Sequence, residues 1–252
     1  MKKLHFNNGC GALLAVLFLS ATAWAHAEEF LSEEDLYGDD LSRSVVVDDP
    51  LQPINRVTFQ FNDFVLLNLV QPLADGYQAV TPDPVEKGAS NFFDNLRYPV
   101  RLAGNLLQGR AKGAWVETGR FAINSTVGVL GVFTPADEME GFAPIPAEDI
   151  GQALGSWGVS EGPYLVLPFM GPSNLRDLVG MVGDRVVNPL DQPVSVIDDW
   201  NWEWQVALGV TEFTVNSPSI VERYLRLKGS AIDPYSSLRN GYTQFRRGAI
   251  AE

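Results

Sequence analysis

Two sets of amides lie in stretches that otherwise read as apolar helix. Asn55, Arg56 and Asn62 interleave with Phe59, Phe61 and Phe64, and Asn91 and Asn95 flank Phe92 and Phe93. An amide left unpaired in apolar surroundings costs roughly 1–3 kcal/mol by mutational estimates, so each of these groups needs a partner. Two arrangements supply one. The amides can bind helix ends or each other inside a core, or they can form the polar side of an amphipathic passage. A passage of that kind suits a lipid, whose head group needs hydrogen bonds and whose tails need hydrocarbon.

Other reactive side chains are scarce. The only Cys is Cys10 and the only His are His5 and His26. All three sit in or beside a stretch with the marks of a secretory signal peptide: Lys2 and Lys3, an apolar core from Ala12 to Leu19, then Ala23-Trp24-Ala25 and Ala25-His26-Ala27 as small-residue cleavage patterns. Residues 1–27 are therefore predicted to be removed, leaving no thiol and at most one terminal His. Ser-His-Asp and Cys-His catalysis, disulfides, and zinc sites built from His and Cys are excluded on that reading. The acid pairs Asp39/Asp40, Asp137/Glu138, Glu148/Asp149 and Asp198/Asp199 fall beside loops or helix starts, where solvated acids and caps are expected. "GVLGVF" (128–133) has no strand before it and no Lys-Ser/Thr after it, so it is not a phosphate loop. The sequence predicts no enzyme, no cofactor and no metal.

Charge narrows the partners. The formal net charge is −13, and loss of Lys2 and Lys3 makes the remainder more acidic. Such a surface repels nucleic-acid phosphates, and membrane attachment would have to rest on apolar burial. Cys10 precedes the apolar core of the signal instead of following it, so no lipid anchor is predicted.

The elements that must position the amides are helices punctuated by proline. Residues 28–48 are acidic and aperiodic and read as a flexible leader. From 49 to 252 the pattern is one mainly α domain. Helices are predicted after Pro53, after Pro84, after Pro99, over 111–125, and from a Ser173 cap. Ser217-Pro218 and Asp233-Pro234 each read as an N-cap followed by Pro at the first helical position. "DDWNWEWQVALG" (198–209) fits a strand through Trp200, Trp202 and Trp204 or a helix through Trp200, Trp204 and Leu208, and the acid pair ahead favours the helix. Between them, "GPYLVLPFMGP" (162–172) is apolar, braced by Gly162-Pro163 and Gly171-Pro172, and interrupted by Pro168. Pro168 cannot donate to a ladder, which argues against an ordinary central strand, and the run is too short to cross a bilayer.

These blocks carry a resemblance. "DPLQPINRVTFQFND" (49–63), "YQAVTPDPVEKGASNFFDNLRYPV" (77–100), "RFAINSTVGVLGVF" (120–133), "EDIGQALGSWGVSEGPYLVLPFMGPSNLRDLVG" (148–180) and "DPYSSLRNGYTQFRR" (233–247) resemble the MlaA/VacJ family, in order and through most of the chain. Matching positions include Asp49, Pro50, Asn55, Arg56 and Asn62, then Asn91, Phe92, Asn95 and Leu96. In the central block they include Gly151, Leu154, Gly155, Gly158, Gly162, Pro163, Tyr164, Pro168, Gly171, Arg176 and Asp177. The resemblance implies a ring of amphipathic helices lying in one leaflet of the outer membrane, on its periplasmic face, with a central amphipathic channel. It implies a component of intermembrane phospholipid transport that removes phospholipids from the outer leaflet and maintains lipid asymmetry. The implied partners are a trimeric porin and a periplasmic lipid carrier of the Mla pathway. Asn55, Arg56, Asn62, Asn91, Phe92, Asn95, Gly162, Pro163, Tyr164, Leu165, Leu167, Pro168, Phe169, Arg176 and Asp177 become candidates for lining the channel. Many members are lipoproteins, and here the misplaced Cys10 departs from the pattern. The rival readings are a soluble periplasmic lipid-binding or scaffold protein docking on an outer-membrane partner, and a carboxylate-based hydrolase.

Overall fold

The computed structural model describes residues 47–189 and 202–251. The predicted signal peptide, nearly all of the acidic leader, and Asp198 to Trp200 lie outside the described residues.

The chain is mainly α-helical. Helix α1 (Gln52–Val65), a π-helical turn (Leu66–Val70) and α2 (Gln71–Val80) run on as a single rod, with helical backbone at both joints. Pro72 explains the turn. It has no N–H to offer Asn68 O, and its ring would crowd that carbonyl. The helix widens instead, and Gln71 N–H reaches back to Leu66 O. Asn68 Nδ2 bonds Phe64 O at 2.8 Å, so the disturbed stretch keeps its carbonyl satisfied.

Then follow α3 (Asp83–Leu96), α4 (Tyr98–Leu107), α5 (Ala111–Thr126), a 3₁₀ turn (Pro135–Glu138), α6 (Ile150–Ser156), strands β1 (Tyr164–Leu167) and β2 (Gly171–Asn174), α7 (Leu175–Val187), α8 (Trp202–Ser230) and α9 (Pro234–Ala251). Pro53, Pro84 and Pro99 stand in first turns, as predicted.

Within the 162–172 run β1 pairs with β2 as an antiparallel hairpin, Tyr164 with Asn174 and Leu167 with Gly171, and Pro168 lies in the turn, outside both strands. Two readings need correction. The cap of α7 is Asn174, whose Oδ1 accepts from Asp177 N at 2.8 Å, and not Ser173. Ser217-Pro218 starts no helix, because α8 continues through Pro218. There Ser217 Oγ donates to Thr214 O at 2.8 Å, supplying that carbonyl with the donor that proline lacks. Trp204 is exposed on the first turns of α8, so the helical reading of that stretch holds where it is described.

Two apolar clusters hold the helices. Val65, Leu66, Val70 and Ala74 of the rod pack on Phe213, Ile220, Val221 and Tyr224 of α8. Tyr164 and Val166 of β1 pack on Leu227 of α8 and on Tyr235, Leu238 and Tyr242 of α9.

Outside these clusters the usual order is inverted. On α7, Leu175, Val179, Val182 and Val186 recur at helical spacing and are all exposed, while Arg176, Asp177 and Asp184 are buried. On α1, Ile54, Val57, Phe61 and Phe64 face out and Asn55 and Asn62 face in. A water-facing helix shows its polar side to solvent. These two show their apolar side.

Candidate functional site

The amides of α1 meet the hairpin. Asn55 Nδ2 donates to Tyr164 O at 2.9 Å and its Oδ1 accepts from Val166 N at 2.9 Å. Two turns further on, Asn62 Nδ2 donates to Leu167 O at 2.9 Å and its Oδ1 accepts from Phe169 N at 2.8 Å. Each carboxamide grips the carbonyl of one residue and the N–H of the residue two ahead. That is how a peptide of a neighbouring strand would bind, so the two side chains act as a substitute third strand. Because β1 turns these groups toward α1, the opposing Val166–Pro172 pair needs no N–H from Pro172.

The turn is strained. Met170 N donates to Leu167 O at 3.2 Å, Pro168 follows Leu167, and Phe169 takes φ of +64°. This is a type II arrangement, whose third position normally takes Gly. Phe169 is kept there by the bond to Asn62 and by an edge-on contact with the Phe61 ring, 4.9 Å between centroids.

The second amide set does the same work elsewhere. Asn91 Nδ2 bonds Val132 O at 3.2 Å, and Asn95 Nδ2 bonds Ser125 Oγ at 2.9 Å and Leu130 O at 3.4 Å. They hold the loop after α5, where Val129 and Leu130 have φ of +54° and +59° and Val127, Leu130 and Phe133 are exposed. A β-branched residue at positive φ is a true outlier, so this loop too is held against its local preference. Phe92 packs edge-on against Phe93.

A third polar centre joins α6, α7 and α9. The Arg246 guanidinium bonds Asp149 at 2.5 and 3.0 Å and Asp177 at 2.8 and 2.9 Å, a fork against each carboxylate. Tyr242 Oη donates to Asp177 at 2.6 Å, Asn174 Nδ2 at 2.7 Å and Arg176 Nε at 3.0 Å. Burial alone would raise the Asp177 carboxyl, but Arg246, with Tyr242 and Arg176, outweighs it and holds the group below its usual range. Asp184 accepts from Ile150 N at 2.9 Å. Burial first, and the charge of Asp149 second, push its carboxyl well above the usual range. Glycines make the approach possible: a methyl at Gly180 would lie 2.4 Å from the Gly151 backbone.

The structure thus brings Asn55 and Asn62 together with Tyr164, Leu165, Leu167, Pro168 and Phe169. Gly162, at φ of +68°, and Pro163 lead into that hairpin. Arg176 and Asp177 belong to the ionic centre, and Asn91, Phe92 and Asn95 to the loop after α5. Arg56 stacks on the Tyr235 ring, 4.4 Å from its centroid, and pairs with Asp233 at 2.6 Å, drawing that carboxyl down to about 2. Sequence reading missed Arg246, Tyr242 and Asp184, and it placed Asp149 among solvated acids and helix caps. Asp149 does cap α6 through Gln152 N at 2.7 Å, but it is buried. The available signal was the small residues Gly151, Gly155 and Gly180, which mark a crossing too close for ordinary side chains.

The described centres are dense hydrogen-bond networks in which Tyr164 Oη and Arg176 Nη2 are buried without a hydrogen-bond partner. Comparison with known proteins gives the context. The family model described as MlaA lipoprotein matches residues 47–249. An uncharacterised protein of Rickettsia felis is 30% identical over 94% of both chains. The intermembrane phospholipid transport system lipoprotein MlaA of Haemophilus influenzae is 30% identical over 78% of this chain and 76% of its own. A solved structure from work on the structural basis for maintenance of bacterial outer membrane lipid asymmetry matches with a TM-score of 0.64 at 28% identity, covering 81% of this chain and 99% of the other.

Proposed function

Because the chain belongs to the MlaA lipoprotein family, we propose that it is an outer-membrane component of intermembrane phospholipid transport, and not an enzyme. It takes phospholipid from the outer leaflet, passes it through an amphipathic channel within a ring of helices, and delivers it at the periplasmic face to a lipid carrier. A trimeric porin is its partner in the membrane. The observation that carries this reading is the inversion of α1 and α7, whose apolar sides lie open while their amides and charges turn inward. Hydrocarbon outside and polar groups inside is the order a leaflet imposes. Among the described residues no helix is long and apolar enough to cross a membrane, which suits helices lying within one leaflet. Those open apolar sides supply attachment to the leaflet.

The half-buried Leu165, Leu167 and Phe169 of the hairpin, with Arg56, are the residues we assign to the channel wall. Asn55, Asn62, Asn91 and Asn95 set that wall's backbone in place. Native mass spectrometry of protein extracted from outer membranes tests the reading: intact phospholipid should remain bound, without lysolipid or free fatty acid. Recovery in the periplasmic fraction with no lipid would replace it by a docking or scaffold role. Fatty acid released by the purified protein would replace it by a hydrolase.

A further inference from the structure

The rod from Gln52 to Val80 carries a phase correction that its sequence makes necessary. In an unbroken α-helix, at about 100° per residue, the line through Val57, Phe61 and Phe64 would continue through Asn68, Pro72, Asp75 and Ala79. That line would be polar in its second half. The π-helical turn adds one residue to the circuit and moves the line to Leu69, Leu73, Gly76 and Val80. Leu69 and Val80 are 63% and 80% exposed, and the space outside Gly76 is empty. The inward line moves with it, so that Val70 and Ala74 are buried against α8.

We infer that this rod lies in the plane of a membrane leaflet, across its acyl chains, and that the π turn keeps one apolar line facing them over its whole length of roughly 43 Å, at about 1.5 Å per residue. The inference rests on the membrane reading above and assigns a particular edge to it. The charges beside the line support hydrocarbon as the occupant, since hydrocarbon supplies no counter-ion. Arg56 is matched by Asp233 at 2.6 Å, and Asp63 by Lys228 at 2.5 Å and by Tyr224 Oη at 2.6 Å. Asp75, exposed and outside any ion pair, is carried about 100° away from the line by the added residue.

The predicted removal of Cys10 leaves a chain suited to single-cysteine labelling. Leu69→Cys, Val80→Cys, Asn68→Cys and Asp75→Cys, all at exposed positions, would each carry a polarity-sensitive fluorophore. The labelled proteins would be mixed with phosphatidylethanolamine vesicles containing phosphatidylglycerol and acyl-chain spin labels. Labels at 69 and 80 should shift to the blue and be quenched severalfold more strongly than labels at 68 and 75. Equal response at all four positions, or a stronger response at 68 and 75, would overturn the phasing while leaving membrane binding intact. A protein that ignores the vesicles altogether would remove the membrane reading as well as this inference.

Discussion

The hairpin seat on α1 and the ionic centre around Arg246 both bury polar groups, but they do so with different chemistry. At the hairpin the buried partners are neutral: two carboxamides and the backbone they hold. At the centre a full positive charge faces two full negative ones, with a third carboxyl beside them. Removing a neutral partner leaves a peptide group to find water. Removing a charged one leaves charge in a low dielectric with nothing to answer it. The hairpin is therefore the seat that can be loosened, and the centre the one that must stay closed.

Breaking the comparison at its strong end should have the largest effect. Arg246→Met leaves Asp149 and Asp177 facing each other, and should cost about 3–5 kcal/mol, as loss of one partner of a buried pair does. Chemical denaturation in detergent would measure it, and a loss below that of the hairpin variants would invert the ranking. Asn55→Ala comes next, since Tyr164 O and Val166 N are buried. Each backbone group left alone costs about 1–3 kcal/mol. Asn62→Ala should cost less, because its bonds are only part-buried, and should also free Phe169 from positive φ. Backbone amide exchange would show the turn opening while α7 and α9 stay protected.

Two smaller effects sharpen the contrast. Arg56→Gln breaks an ion pair whose side chains are 40% and 41% exposed. It should cost only about 0.2–1 kcal/mol, less in high salt, despite the low value of the Asp233 carboxyl. Asp184→Asn keeps the shape of the side chain and removes a carboxyl that burial and the charge of Asp149 shift upward. Its effect lies in the pH profile. A folded-state pKa above the unfolded value gives stability that is complete below the unfolded value and lost as pH rises through the folded one. The variant should lack that loss. Asp177, held low, acts in the opposite sense: its share is lost as pH falls through its folded value, in wild type and variant alike. An unchanged loss of stability with rising pH in Asp184→Asn would show that the Asp184 carboxyl is not raised in the fold.

The helices were readable because proline and periodicity are local signals. Pro53, Pro84 and Pro99 mark their first turns, and Asp233-Pro234 opens α9 as expected. The hairpin was not readable, since its strands are only Tyr164–Leu167 and Gly171–Asn174 and what secures β1 is a pair of side chains over a hundred residues away. Pro218 misled for the opposite reason, because Ser217 Oγ, one residue before it, repairs the break locally. At the candidate site, the amides stood out because their cost demanded partners. That those partners would be backbone is a tertiary fact. The ionic centre was hidden further, as Asp149, Asp177 and Arg246 look individually like surface charges. Only their burial against Gly151 and Gly180 gives them meaning.

Arg246 follows Asp177 by 69 residues and Asp149 by 97. During synthesis both carboxylates emerge before the guanidinium that will neutralise them. Until it arrives, docking α6 on α7 buries the two carboxylates with only Asn174 and Arg176 to answer Asp177, which makes that docking costly. Helix α9 thus carries the charge that lets α6 and α7 close on each other at low cost.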